Sequence, residues 1–176
     1  MHEFDGHKII DKFEGEYYFL SNFYPARVTY NGRTYLNSEA AFHAQKDPSR
    51  ADEFINLDPS AAKRLGRSVK INVEEWNSIR FHTMLDILYK KFEQNPDLKQ
   101  KLIDTGDALL VEGNTWGDTY WGMCNGKGQN CLGIALTFVR CSLANRSTVE
   151  DIGILTDYVG YCSICELYEE DGTPCD

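Results

Sequence analysis

The segment SEAAFHAQK (38–46) puts a carboxylate, an imidazole and an ammonium close together in sequence. At roughly 100° per residue, Glu39, Phe42, His43 and Lys46 share one face of a helix, while Ala40, Ala41 and Ala44 take the other. An alanine face suits close packing. Glu39 falls in the first turn, where the helix dipole favours the charged carboxylate. That suits a general base or an electrostatic stabiliser better than a proton donor. On an arbitrary helix the same residues read as a solvated Glu–Lys face.

A second constellation lies on residues 73–94. Trp76, Arg80, Met84, Ile87 and Lys91 run about a quarter-turn from an apolar stripe of Phe81, Leu85, Leu88 and Phe92, which is the expected core face. A Trp and an Arg one turn apart can stack a base and hold a phosphate. A boundary Trp beside a snorkelling Arg has the same spacing. A third stretch, EGNTWGDTYWGMCNGKGQNCLG (112–133), carries Asn114, Trp116, Asp118, Tyr120, Trp121 and glycines that include Gly122. Glycines let a backbone approach a ligand, and aromatics offer a stacking platform. The stretch is neither a Walker A loop nor a dinucleotide fingerprint. No Ser/His/Asp set is identifiable from order or spacing. His2 and His7 fall in the expected flexible start and His82 on the long helix, so no metal site is expected from the histidines.

These groups need elements to hold them. Asn31-Gly32 between ARVTY and RTYL reads as a hairpin turn. Asn37 or Ser38 caps the EAAFHAQK helix. Asp58-Pro59 starts another, with Gly66 just past its end. Asn72-Val73-Glu74-Glu75 has capping-box form and opens the longest helix, to about Gln94. Pro96 restarts a helix that stops at Gly106. LLVEG and LGIALTFVR read as strands, the latter buried on both faces. The expected fold class is α+β, with several helices around a small sheet in a single domain.

With 176 residues, 42% hydrophobic and 26% charged, the chain can bury a core unaided. Its formal net charge of −9 opposes long polyanions, yet leaves room for a local basic pocket. The start lacks an apolar leader, and no apolar run approaches the ~18 residues of a membrane span. A cytoplasmic protein with no membrane association is expected. All six cysteines lie from Cys124 onward, which favours reduced thiols over a disulfide framework.

Taken in order, FLSNFYP (19–25), SEAAFHAQK (38–46), AAKRLGR (61–67), Trp76 with Arg80 and Met84, KFEQNPDL (91–98), TG (105–106), LVEGNTWGDTYWG (110–122) and GQNCLG (128–133) are distinctive. The chain resembles the NADAR (YbiA-like) N-glycosidase superfamily from Phe13 to Arg140. The resemblance implies an α+β fold and metal-independent, cofactor-free hydrolysis of N-glycosidic bonds. One branch of that superfamily acts on ribosylamino-pyrimidine phosphates of the riboflavin pathway. Another removes ADP-ribose from guanine, including guanine in nucleic acid. The implied partner is therefore a small phosphorylated ribosyl ligand, free or carried on nucleic acid. Carried over by position, the resemblance implies a catalytic role for Glu39 and essential roles for Trp76 and Asp118. It sets Asn22, Lys46, Arg67 and Arg80 around the sugar-phosphate. His43, Asn114, Trp121 and Gly122 complete the expected substrate-binding set.

The family's usual Glu-His-x-aromatic-Gln-Ala is here Glu39-Ala40-Ala41-Phe42-His43-Ala44. A His is lost, and another replaces the Gln on Glu39's own face, which bears on the substrate more than on the reaction type. For Lys46 a phosphate contact is the simpler role, and a Schiff base with a ring-opened ribosylamine is the alternative. A non-catalytic ADP-ribose or nucleotide-binding module is the competing reading. Residues 1–12 are expected to be flexible, and 13–140 to form the domain. Residues 141–176 are expected to form an acidic extension docked through Ile152, Ile154, Leu155, Tyr158 and Val159. Its Cys162, Cys165 and Cys175, with Cys141, have partial zinc-ligand spacing, but free thiols are expected.

Overall fold

A computed structural model of the chain describes residues 3–4 and 7–144. The first elements are β1 (Glu3–Phe4), β2 (His7–Ile10), a 3-10 helix (Gly15–Leu20), β3 (Val28–Tyr30), β4 (Arg33–Tyr35) and α1 (Ser38–Ala44). A second 3-10 helix (Pro48–Phe54) leads to α2 (Pro59–Ser68), α3 (Val73–Gln94) and α4 (Pro96–Asp104). After them come β5 (Leu109–Leu110), β6 (Gly113–Asn114), β7 (Met123–Cys124) and α5 (Cys131–Leu143). Helices with a few short strands make the class α+β. The chain divides into two compact units, one of Glu14–Asp104 and one joining the start, to Phe13, with the segment from Thr105.

In the Glu14–Asp104 unit, local chemistry sets most boundaries. Asn31 and Gly32 both take positive φ (48° and 76°), the requirement of a tight turn whose twist matches its strands, and β3 pairs antiparallel with β4. Asp58 caps α2 by accepting from Ala61 N–H at 2.9 Å, with Pro59 at the first helical position. Asn72 does the same for α3, accepting from Glu75 N–H at 3.3 Å. Gly66 departs from expectation, lying inside α2.

The buried face of α3 also departs from expectation. Phe81 and Leu85 are only half-buried. The inward residues are Trp76, Met84, Ile87, Leu88, Lys91 and Phe92. The helix is thus rotated toward the stripe expected to be polar, and Lys91 is fully buried within it. A leucine there would gain about 2 kcal/mol from burial, whereas an ammonium must lose its water. The compensation is specific. Lys91 Nζ donates to the carbonyls of Phe19 (2.7 Å) and Ser21 (2.9 Å). Burial pushes its amine down to about 7.

In the other unit β5 pairs parallel with β2, Ile9 opposite Leu109 and Ile10 opposite Leu110, and β2 pairs antiparallel with β1. The flexible start expected as far as residue 12 therefore stops short, because Ile9-Ile10 supply β-branched side chains to the sheet and Ile10 is buried. LGIALTFVR is corrected from strand to helix, as part of α5. It is apolar on every side and buried almost throughout, so it shows neither the two-residue nor the 3.6-residue period. Only the full 13-residue length of α5 exceeds an ordinary strand, which the LGIALTFVR stretch alone does not. Asn130, in left-handed conformation (φ 51°), precedes α5. Its side chain donates to the Leu110 carbonyl (2.9 Å) and accepts from Glu112 N–H (3.0 Å), standing in for a strand partner at the end of β5.

Cys162, Cys165, Cys175 and the five apolar docking residues lie outside the described residues. Cys141 lies in the last turn of α5, not at the end of a strand.

Candidate active site

α1 is buried along its whole length, from Ser38 to Ala44, so the solvated-face reading of its polar residues does not hold. Asn37 anchors the start. Its Oδ1 accepts from Ala40 N–H (2.8 Å) and its Nδ2 donates to the Leu57 carbonyl (3.0 Å). Glu39 N–H, one of the first-turn donors with no helical partner, donates to the Asn22 carbonyl at 3.2 Å. The side chains of Glu39 and His43 are about nine-tenths buried, with His43 Nε2 3.1 Å from Glu39 Oε1. This is the i, i+4 relation expected of their shared face, now inside the protein.

The ring of His43 lies against α2. A Cβ on Gly66 would overlap its Nδ1, Cγ and Cβ. Only glycine permits that approach, which explains a helix-breaking residue within α2. The same glycine's carbonyl accepts from Lys46 Nζ at 3.1 Å. Lys46 Nζ also lies 5.8 Å from the centre of the Trp76 ring, which tilts against Phe42 at 5.1 Å. Burial holds the Lys46 amine below the ordinary lysine value; the Glu39 carboxylate opposes that shift and the Arg67 guanidinium adds to it. Asn22 Nδ2 donates to Met84 Sδ at 3.4 Å. Asn22, Glu39, His43, Lys46, Gly66, Trp76 and Met84 are thus linked in one constellation, with Arg67 coupled to it. Arg80 sits one turn beyond Trp76, half-buried.

The remaining expected site residues are organised within the other unit. Asn114 and Asp118 bond reciprocally: Asn114 Nδ2 donates to the Asp118 carbonyl (2.7 Å), and Asp118 N–H to Asn114 Oδ1 (3.1 Å). Asp118 Oδ1 accepts from Trp121 N–H at 2.8 Å. Its carboxylate therefore ties down the backbone of the aromatic pair Tyr120–Trp121, whose ring centres are 4.8 Å apart. A Cβ on Gly122 would overlap the Glu112 carbonyl and crowd Asn114 Nδ2. Trp116 is exposed. Among the described residues no group of three or more His, Cys, Asp or Glu side chains is placed to hold a metal, and no helix is long and apolar enough to cross a membrane.

The NADAR domain family matches residues 10–144. The chain belongs to the NADAR family. It is 38% identical to the N-glycosidase YbiA of Escherichia coli (strain K12) over 130 residues, 71% of this chain and 81% of that protein. An N-glycosidase of Nostoc punctiforme is 32% identical over 134 residues, 72% of this chain and 85% of that protein. The NMR structure of E. coli YbiA superposes with a TM-score of 0.70 at 35% identity, covering 78% of this chain and 85% of that one. The NADAR match begins inside β2 and ends just beyond α5, so one family domain runs through both units.

Two residues of this NADAR chain's candidate site carry little sign of their role in the sequence. Gly66 was visible only as a glycine within AAKRLGR, where a helix end and a close approach look alike. Asn37 was expected as a cap but not as the residue that ties α1 to Leu57. Ala40 is fully buried, and the imidazole stands one turn later, at His43, bonded to Glu39.

Proposed function

We propose that this NADAR protein cleaves the bond between ribose C1 and the amine nitrogen of a purine- or pyrimidine-like base, with Glu39 as its catalytic carboxylate. As a member of a family whose curated relatives are N-glycosidases, the chain is a hydrolase acting on N-glycosyl bonds. The observation that carries the assignment to Glu39 is its buried bond to His43 on α1. A carboxylate shielded from water, next to a proton-carrying imidazole, is equipped for this chemistry.

As C1–N breaks, positive charge develops on the ribose, and the Glu39 carboxylate opposes it. Water adds to C1, Glu39 accepts its proton, and that proton passes on to the departing nitrogen, so the base leaves as the neutral amine and Glu39 is a carboxylate again. His43 donates to Glu39 and so orients it. Trp76 supplies the stacking face for the base, and Asn22, Lys46, Arg67 and Arg80 supply polar and cationic groups for the sugar-phosphate. Within its own unit Asp118 fixes Trp121 and Asn114, which with Gly122 form a loop suited to binding substrate.

Two substrate classes fit: ADP-ribosylated guanine, and a ribosylamino-pyrimidine phosphate, since a riboflavin biosynthesis protein of Vibrio vulnificus is 38% identical over 127 residues, 69% of this chain and 34% of that protein. Free small molecules suit the net charge of −9 better than long nucleic acid.

The lowered Lys46 amine favours a second route. Its Nζ attacks C1 of the ring-opened sugar, the base leaves as the free amine, and water hydrolyses the resulting imine. Incubation with each substrate and mass spectrometry of the products tests the whole proposal. Free base is expected from at least one substrate, with the Glu39→Gln variant roughly 100-fold slower. Ligand binding without base release from either would make the chain a nucleotide-binding module. Borohydride reduction during turnover leaves a sugar adduct on Lys46 only if the imine route operates.

A further inference from the structure

Lys91 is a fully buried cationic side chain that the proposed reaction does not use. It lies seven residues beyond Met84 on the inward face of α3, and both residues hold the same segment of chain. Lys91 Nζ donates to the carbonyls of Phe19 and Ser21, at the C-terminal end of the first 3-10 helix. Carbonyls at a helix end attract a cation, and that of Ser21 accepts from Tyr24 N–H (3.2 Å) as well. Met84 accepts from the side chain of the next residue, Asn22. The Asn22 carbonyl in turn holds the backbone N–H of Glu39. A continuous set of contacts therefore runs from Lys91 through Phe19–Asn22 to the first turn of α1.

We infer that Lys91 is a positioning residue, whose Nζ fixes the Phe19–Asn22 segment and thereby the seat of Glu39. The inference rests on the assignment of Glu39 as the catalytic carboxylate. A leucine or methionine would fill the same space without desolvating a charge, so packing alone does not account for a lysine here. Bonds from a cation to carbonyl oxygens are stronger and more directional than apolar contact. Among the described residues its Nζ is met by the two backbone carbonyls of Phe19 and Ser21. Its aromatic neighbours are Tyr24 and Phe92, with ring centres 5.8 Å and 5.1 Å from Nζ.

The test is Lys91→Met in the full chain, read by amide hydrogen exchange at Glu39 and by steady-state kinetics. Positioning predicts exchange at Glu39 roughly tenfold faster, with Leu102 of α4 unchanged, because only the local seat loosens. It also predicts kcat per folded enzyme down roughly tenfold with KM nearly constant, since misplaced groups cost rate. Lys91→Gln, which keeps an N–H donor without charge, is expected to recover part of both. Unchanged exchange at Glu39, or equal acceleration at Leu102, would overturn the inference, as would failure of both variants to fold. Should the wild type release base from neither substrate, the assignment of function fails instead, and the exchange result still decides whether Lys91 holds Glu39's seat.

Discussion

Replacing Gly66 by alanine sets a helix's own preference against the packing of its neighbour. Within α2, alanine should gain about 1 kcal/mol over glycine. The new Cβ, however, would fall on the His43 ring, overlapping three of its atoms. That ring has little freedom. It is buried, bonded to Glu39 at 3.1 Å and set edge-on to Phe42 at 5.6 Å. Either α2 retreats from α1 or the imidazole turns away from Glu39. Overpacking of this kind costs about 1–3 kcal/mol, and losing the Glu39–His43 bond adds about 1 kcal/mol. Packing therefore wins, and Gly66→Ala should be less stable than wild type by about 1–3 kcal/mol, read from urea midpoints at constant slope. Adding His43→Ala removes the clash, so the two substitutions should be non-additive, with alanine 66 less harmful in the double variant. A single Gly66→Ala variant more stable than wild type would refute the claim that this glycine exists for the histidine.

Trp76→Ala should weaken ligand retention and rate by roughly 1–3 kcal/mol if the indole stacks a base; unchanged affinity and rate in a folded variant would return Trp76 to the core. Activity should persist in excess chelator, as the family resemblance implies, and loss restored by a divalent cation would contradict it. Lys91 makes stability depend on pH with a definite sign. Its amine titrates at about 7 in the folded chain against 10.5 ordinarily, so between these values the unfolded chain binds the extra proton. Stability should therefore rise as pH increases through that window, and the rise should shrink in Lys91→Met. Equal slopes in the two proteins, measured by urea unfolding at several pH values, would show that Lys91 is not displaced.

What the sequence made legible was mostly local. Asn37, Asp58, Asn72 and the Asn31-Gly32 turn act through their own neighbours in the chain, and each does what its type and position imply. The shared face of Glu39 and His43 follows from helical geometry alone and reappears as a direct bond. The failures came where an element's surroundings decide. α5 is apolar all round, so its sequence carries no period, and its burial depends on what encloses it. The inward face of α3 was misplaced because Phe81 and Leu85 looked like core and Lys91 looked like surface. Only the carbonyls of Phe19 and Ser21, some seventy residues earlier in the chain, make a lysine the right residue for that position. Gly66 is the same problem in reverse, since its reason is an imidazole on another helix. Candidate reacting residues can therefore be named from their types, whereas the residues that hold them in place cannot. A carboxylate announces its chemistry by type, whereas a supporting residue acquires its purpose only from the partner the fold brings to it.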